Sequence, residues 1–419
     1  AAVTTGTRNT FMGSNAGDAV TEGTFNSAFG HNSLGANVTG THNTAIGDFS
    51  LALNTGTENT AVGQGSLEAN TSGNYNTAVG KSAGGALTTG VENVFVGVIA
   101  GDALTDADYN VAMGSNSLTT DTLGSRSVAI GAYTLSAQNF TTATDGYNVA
   151  VGYNAGNDIT TGLRNNLFGA FAGDSLTDAD DNVAIGDSAL NSDTLGSKSV
   201  AIGRAALATQ NFTTATDSHN TAVGYNAGVA VTTGINNTLI GATSGDAITT
   251  GQQNTAVGRA TLGATTTANN NTAMGYYALT SNTTAADNTA FGASALGANT
   301  TGSSNTAVGK GAGLSVTTGI NNTLIGSHAG DALTDADENV AVGMNALGVD
   351  TLGTGSVAIG DSSLSTQNFT TATTTYNTAV GYRAGYVVTT GIQNTLIGGL
   401  AGDALTDADY NVAVGRNSL

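Results

Sequence analysis

A pattern of five positions runs the length of the chain: a polar residue, then usually Thr or Val, an apolar residue that is most often Ala, a larger aliphatic or aromatic one, and glycine, as in Asn76 to Gly80 and Ser127 to Gly131. Anchored on its first residue, the pattern starts 24 times between Asn9 and Asn411; nineteen of the 23 spacings are 17 residues, one is 16 and three are 21. With the anchor as slot 1, slot 5 is Gly in all 24 units and slot 4 is always Val, Ile, Met or Phe. A β-favouring triplet that ends in an invariant glycine predicts a short strand followed by a tight corner. The uniformity of slot 4 predicts that it faces inward. Seventeen residues are too few for a βαβ unit and carry no helical period, so each unit is read as one coil of a narrow parallel β-solenoid. The expectation is an all-β chain, one array over residues 1–419 without linker or second domain, whose 24 coils stack at about 4.8 Å over roughly 115 Å.

A second regularity concerns the core. Slot 9 is only Gly or Leu, and its identity sets slot 12: aliphatic after Gly (Leu87, Leu104, Ile159), polar after Leu (Asn37, Asp121, Gln138). One aliphatic side chain per coil is thus delivered from either of two backbone sites, as close packing demands. Slot 1 is Asn in 21 units and Ser in three. Stacked asparagines predict a side-chain ladder that satisfies the corner, in preference to a series of glycosylation sites. Because each coil offers only about three sizeable apolar groups, three chains sharing a core are expected.

The 21-residue spacings close super-repeats at 76–147, 148–219 and 305–376, and the extra residues fall beside Phe140, Phe212 and Phe369. These aromatics are candidate recognition knobs on outward loops; the competing and preferred reading folds each ring back over the coil or a chain interface. Ala1 falls in slot 10 and Leu419 in slot 9, neither with a capping sequence, so the array is expected to be an excerpt of a longer one.

The stretch "GDALTDADYN" at 101–110, repeated with small changes at 173–182, 330–339 and 402–411, gathers acids at slots 10, 14 and 16. With an aspartate at slot 12 of the following coil, it defines three candidate calcium sites: Asp102, Asp106, Asp108 and Asp121; Asp174, Asp178, Asp180 and Asp193; Asp331, Asp335, Asp337 and Asp350. Clustered carboxylates suit a hard cation. The spacing, however, matches neither common calcium loop, and the units with "TTG" at 88–90, 232–234 and 317–319 turn the same corner without acids. A solvated corner whose aspartates bond to local backbone is therefore preferred, with no cofactor required and calcium as the alternative.

Composition narrows the function classes. Thirty acidic against ten basic residues, net charge −20, argue against a nucleic-acid surface. No apolar run approaches the 18–20 residues of a membrane span, and the absence of cysteine excludes disulfides. Histidines His31, His42, His219 and His328 occupy variable slots without a recurrent partner, so no enzyme is expected. Threonine ranks at slot 2, Thr221, Thr238 and Thr255 among them, raise ice binding as a lesser possibility that depends on their facing solvent.

"SVAIGAYTLSAQNF" (127–140), "SVAIGRAALATQNF" (199–212) and "SVAIGDSSLSTQNF" (356–369) resemble the head repeats of trimeric autotransporter adhesins, and "NTAVGYNAG" (220–228) is similar to arrays in phage and marine microbial fibres. The resemblance spans the chain and implies a left-handed parallel β-roll, assembled as an intertwined or side-by-side homotrimer, non-enzymatic and exposed on a cell or virion surface. The coil here is longer than that family's usual one, and no coiled-coil stalk or membrane anchor is seen. The expected function is an extracellular fibrous segment for attachment, a phage tail-fibre shaft or bacterial adhesin head, with a glycan or protein receptor that the sequence does not name; a self-assembling surface filament is the alternative.

Overall fold

A computed structural model describes residues 3–419; the reading of Ala1 lies outside them. Contacts divide the chain into two compact units: one runs to Ala205 and includes Gln210–Asp217, the other comprises Ala206–Thr209 and Ser218–Leu419. Both are built from the same coil. Each carries twelve three-residue strands at slots 2 to 4, from Thr10–Met12 to Val200–Ile202 in the first and from Thr221–Val223 to Val412–Val414 in the second. Among the described residues there is no helix. The chain is thus a parallel β-solenoid of about 24 coils.

Within a unit the strands pair in parallel and in register, slot against slot, as in Thr77↔Val94, Ala78↔Phe95 and Val79↔Val96. The irregular coils keep that register: Thr44 pairs with Thr60 across the 16-residue coil, and Val128 with Val149 across a 21-residue one. Length differences are absorbed outside the strand. The invariant slot 5 glycines explain themselves here, since Gly80 has φ +139° and a Cβ on it would lie 2.2 Å from the carbonyl oxygen of Gly97 in the next coil.

The interior differs from expectation in one respect. Slot 4 does not point inward: Ile46, Val79, Met113, Ile185, Ile240 and Ile325 keep 38–41% of their surface exposed. Side chains alternate along a strand, and it is slot 3 that enters the core, fully buried as Ala78, Ala112 or Ala222. A narrow coil has room for little more than a methyl at that point, and the bulk comes from the turn. There the Gly/Leu rule holds: slot 9 leucines such as Leu34, Leu118 and Leu279, and slot 12 aliphatics such as Leu87, Ile159 and Val231, have no exposure. The leucines reach inward from left-handed backbone, Leu34 at φ 55° and Leu118 at φ 51°, a conformation that costs a non-glycine residue about 1–2 kcal/mol.

The rule has a third participant. In six coils slot 3 is Phe or Leu instead of Ala: Phe11, Phe95, Leu167, Leu239, Leu324 and Leu396. Each occupies space left by slot 9 glycines. A Cβ on Gly84 or Gly101 would lie 2.6 Å from the Phe95 ring, and one on Gly156 or Gly173 would lie 2.7 or 2.8 Å from Leu167. One large side chain thus packs over the glycines of its own coil and the preceding one. With these contributions the core closes within a single chain, so a core shared among chains is not needed to bury it.

Candidate functional site

The polar scaffold is the asparagine ladder. Asn76 Nδ2 donates to the Gly90 carbonyl at 2.8 Å, and Asn76 Oδ1 accepts from the Asn93 backbone N–H at 3.0 Å; Asn93 repeats both contacts with Ala107 and Asn110. Each side chain thus spans the corner of its own coil and ties it to the next. Where slot 1 is serine, glutamine from slot 12 stands in. Gln138 Nε2 donates to Ser127 Oγ at 3.1 Å and to Asp121 Oδ2 at 2.6 Å, while its Oε1 accepts from Asn148 Nδ2 at 2.9 Å. Gln367 makes the equivalent set with Ser356, Asp350 and Asn377.

That network determines the place of the slot 12 aspartates. Asp121, Asp193 and Asp350 are fully buried. Asp121 Oδ1 accepts from the Gly124 and Phe140 backbone N–H groups, both at 3.0 Å. Asp193 and Asp350 do the same with Gly196 and Phe212, and with Gly353 and Phe369. Burial raises the Asp193 pKa, against hydrogen bonds led by that from Gln210, which lower it.

The other aspartates point elsewhere. Asp106, Asp178 and Asp335 accept from Thr89, Thr161 and Thr318 Oγ1 of the preceding coil at 2.5, 2.7 and 2.5 Å. Asp108, Asp180 and Asp337 each accept a backbone N–H of that coil, from Val91, Leu163 and Ile320, at 2.8 Å. At this slot an amide serves equally well: Asn74 accepts from Thr57 N and Asn269 from Gln252 N, both at 2.7 Å. Position 16 therefore asks for an acceptor, not a charge. Asp102, Asp174 and Asp331 lie half-buried at slot 10, with pKa values raised chiefly by burial; Asp174, also beside Asp158, is pushed up to about 6. The carboxylates grouped by the sequence are thus distributed over core, corner and slot 10 surface. Among the described residues no group of three or more His, Cys, Asp or Glu is placed to hold a metal ion.

The aromatics of the long coils turn inward. Phe140, Phe212 and Phe369 are only 4–6% exposed, and the Phe140 ring lies over Gly124, where an added Cβ would meet it at 2.7 Å. They are not outward knobs: the exposed part of the first loop is Thr141, Thr142 and Ala143, after which Thr144–Asp145 rejoins Gly124–Ser125 in parallel. The histidines take part in aromatic or hydroxyl contacts where these are resolved: His42 stacks on Phe25 with centroids 4.6 Å apart, His31 meets Phe49 edge-on at 5.2 Å, and His328 Nδ1 lies 2.9 Å from Ser327 Oγ.

Two surface features went unread in the sequence. The first is that slot 4 lies on the same outward sheet face as the rank of slot 2, so that a mostly exposed aliphatic rank runs beside a mostly half-buried rank of Thr and Val in each unit. The second is slot 17, held at positive φ whatever its residue, from Arg8 (59°) to Tyr75 (61°) and Asp181 (60°). It forms a ladder of stacked surface groups, with Arg8 4.9 Å over the Phe25 ring and Arg164 Nε 2.6 Å from Asp181 Oδ1. Alternation of side chains along a strand would have revealed the first; nothing in the residue types at slot 17 announces the second.

Neither a family model nor a curated protein matches the chain. Among the described residues no helix is long and apolar enough to cross a membrane.

Proposed function

We propose that the chain is a non-enzymatic segment of an extracellular fibrous protein, a stiff repetitive scaffold for attachment to a surface, working as a side-by-side homotrimer. The observation that carries this reading is the outward slot 4 rank. The rank recurs in every coil, half-buried in some and exposed in most, with Ile46, Val79, Ile185, Ile240 and Ile325 each keeping more than a third of their surface in solvent. An apolar face of that regularity on a chain with net charge −20 is the mark of an association surface. The closed core means that association adds face to face, without interlocking of the coils. The likeness of the "SVAIG" and "NTAVG" repeats to adhesin heads and phage fibres supports the same assembly and a place on a cell or virion surface. Rigid coils on a trimer present any surface feature in several copies, which turns weak contacts into lasting attachment.

Native mass in solution tests the reading. Three times 41.1 kDa is expected, falling to one chain when Ile240, Val257 and Ile325 are replaced by Asp. A 41.1 kDa species for the unaltered protein at all concentrations would reject the trimer; open-ended polymers would make it a filament subunit. A second reading, ice binding, is favoured by one observation: the slot 2 threonines share the outward side of the strand with slot 4. Thermal hysteresis measured on the same samples separates the two, since a face covered by another copy cannot meet ice.

A further inference from the structure

Three depressions, of about 410, 430 and 350 Å³, lie in the turn between slots 6 and 12 of the described residues, one in the first unit and two in the second. All three are lined by slots 7, 10 and 11 of neighbouring coils, and in each a glycine at slot 10 forms the floor: Gly35, Gly297 or Gly348. The backbone does not ask for glycine there. None of the three has a left-handed φ, and slot 10 elsewhere carries Leu314 and Tyr386. The missing side chain opens a notch.

The walls have a shared chemistry. Each notch has one aromatic ring, Phe49, Tyr277 or Tyr386, beside hydrogen-bonding groups: Asp18 and Glu68 in the first, Ser281 and Ser294 in the second, Asp331 and Thr366 in the third. A pyranose ring has one face of C–H groups, which stacks on an aromatic, and an edge of hydroxyls, which needs donors and acceptors at its rim. The volumes fall within the ordinary range for small-ligand pockets, about 300–1,000 Å³. Each notch is lined by three or four successive coils spaced at about 4.8 Å, a run that takes about two or three pyranose units of an extended chain. A net charge of −20 and the carboxylates of the first and third notches disfavour an anionic ligand, and they outweigh the single guanidinium set on each tyrosine, Arg383 at 3.9 Å from the Tyr386 ring and Arg259 at 5.8 Å from that of Tyr277.

From these we infer that the slot 7/10/11 surface binds uncharged glycans, a short linear segment lying in each notch against Phe49, Tyr277 or Tyr386. The inference deepens the proposed attachment role by naming the class of receptor, but the notches lie in the turn and not on the slot 2/4 face. Glycan binding and assembly can therefore fail separately.

Titration calorimetry of the full chain with cellohexaose, chitohexaose and mannohexaose, and with a sialic acid hexamer as anionic comparator, tests it. At least one neutral hexaose is expected to bind. F49N/Y277N/Y386N removes the rings with residues already used at those slots, Asn32 and Asn345 at slot 7 and Asn157 at slot 10. G35L/G297L/G348L instead fills the notches with the residue that stands at slot 10 in Leu314. Each variant is expected to weaken binding by about tenfold or more, with native mass and unfolding midpoint unchanged. No saturable binding of any neutral hexaose at millimolar concentration, equal binding by both variants, or preference for the anionic comparator would overturn the inference, whatever the native mass.

Discussion

Phe95 and Gly101 provide the sharpest test of how the coil is packed. Phe95 is fully buried, and a Cβ on Gly101 would lie 2.6 Å from two of its ring carbons. Truncation by Phe95→Ala removes a buried ring and leaves a cavity between coils, a loss of about 3–5 kcal/mol. Gly101→Ala acts differently. At φ +58° the new methyl costs about 1 kcal/mol in backbone preference, and forcing the ring aside costs about 1–3 kcal/mol more. In the double variant the ring is gone, so only the backbone cost of Gly101→Ala remains and the methyl refills part of the cavity. The pair should therefore be more stable than the sum of its parts by about 2 kcal/mol. Because stacked repeats open in sections, the assay is native-state hydrogen exchange at coils 76–92 and 93–109, with unfolding in urea as the global readout. Phe95→Leu, which installs the residue found in the same slot at Leu167 and Leu239, should cost less than about 1.5 kcal/mol. Additivity of the two alanine substitutions within about 0.5 kcal/mol would refute the claim that the glycine exists to admit the ring.

Other outcomes follow from the same geometry. Asn165→Ala removes the acceptor of the Asn182 N–H and the donor to the Ala179 carbonyl, both buried, and should cost about 1–3 kcal/mol for each group left without a partner, read as a lowered urea midpoint. Asp174, with its pKa raised to about 6 by burial and then by Asp158, binds its proton more tightly in the folded chain than in the unfolded one. Its contribution is complete below about pH 4 and lost as the pH rises through 6. Coils 148–181 should therefore exchange more slowly at pH 5 than at pH 7 once intrinsic rates are corrected, by no more than about 1 kcal/mol given the solvent screening of a half-exposed group. Asp174→Asn should abolish the difference, and unchanged protection across that range would count against the assignment. Since the aspartates at slots 12, 14 and 16 are occupied by protein donors, a chelator should leave the unfolding midpoint where it was; a fall of several degrees that calcium restores would show that metal joins those bonds.

Much of the architecture was legible because repetition exposes it. The glycine at slot 5, the Asn ladder and the exchange between slots 9 and 12 each appear in more than ten copies, and each reflects a contact with the neighbouring coil. Slot 4 was misread for a physical reason. Uniform hydrophobicity usually marks a core, but here the core positions on the strand take alanine except where slot 9 glycines admit Phe or Leu, while the uniform aliphatics lie on the outer face. Phe95 and Leu167 carried the missing clue, since they appear only where slot 9 is glycine. The aspartates were legible only in part: Asp108 bonds to backbone, in line with the preferred reading of the corner, but its neighbour Asp106 serves a threonine hydroxyl and Asp121 faces the interior. Sequence spacing alone does not distinguish those directions. Slot 17 was invisible because its left-handed backbone is imposed by the stack and tolerated by Arg, Tyr and Asp alike.

The chain has no cysteine, so single thiols can report on the outward face directly. The decisive measurement is the rate of maleimide labelling of Val257→Cys at slot 4, with Ala256→Cys inside the coil and Arg259→Cys on the turn as references. The account predicts that Ala256→Cys stays unreactive, that Arg259→Cys labels fast at every concentration, and that Val257→Cys, half-buried within one chain, is protected when chains are concentrated and labels about tenfold faster or more on dilution. Rapid labelling of Val257→Cys at all concentrations would contradict the claim that this face is covered by another copy of the chain.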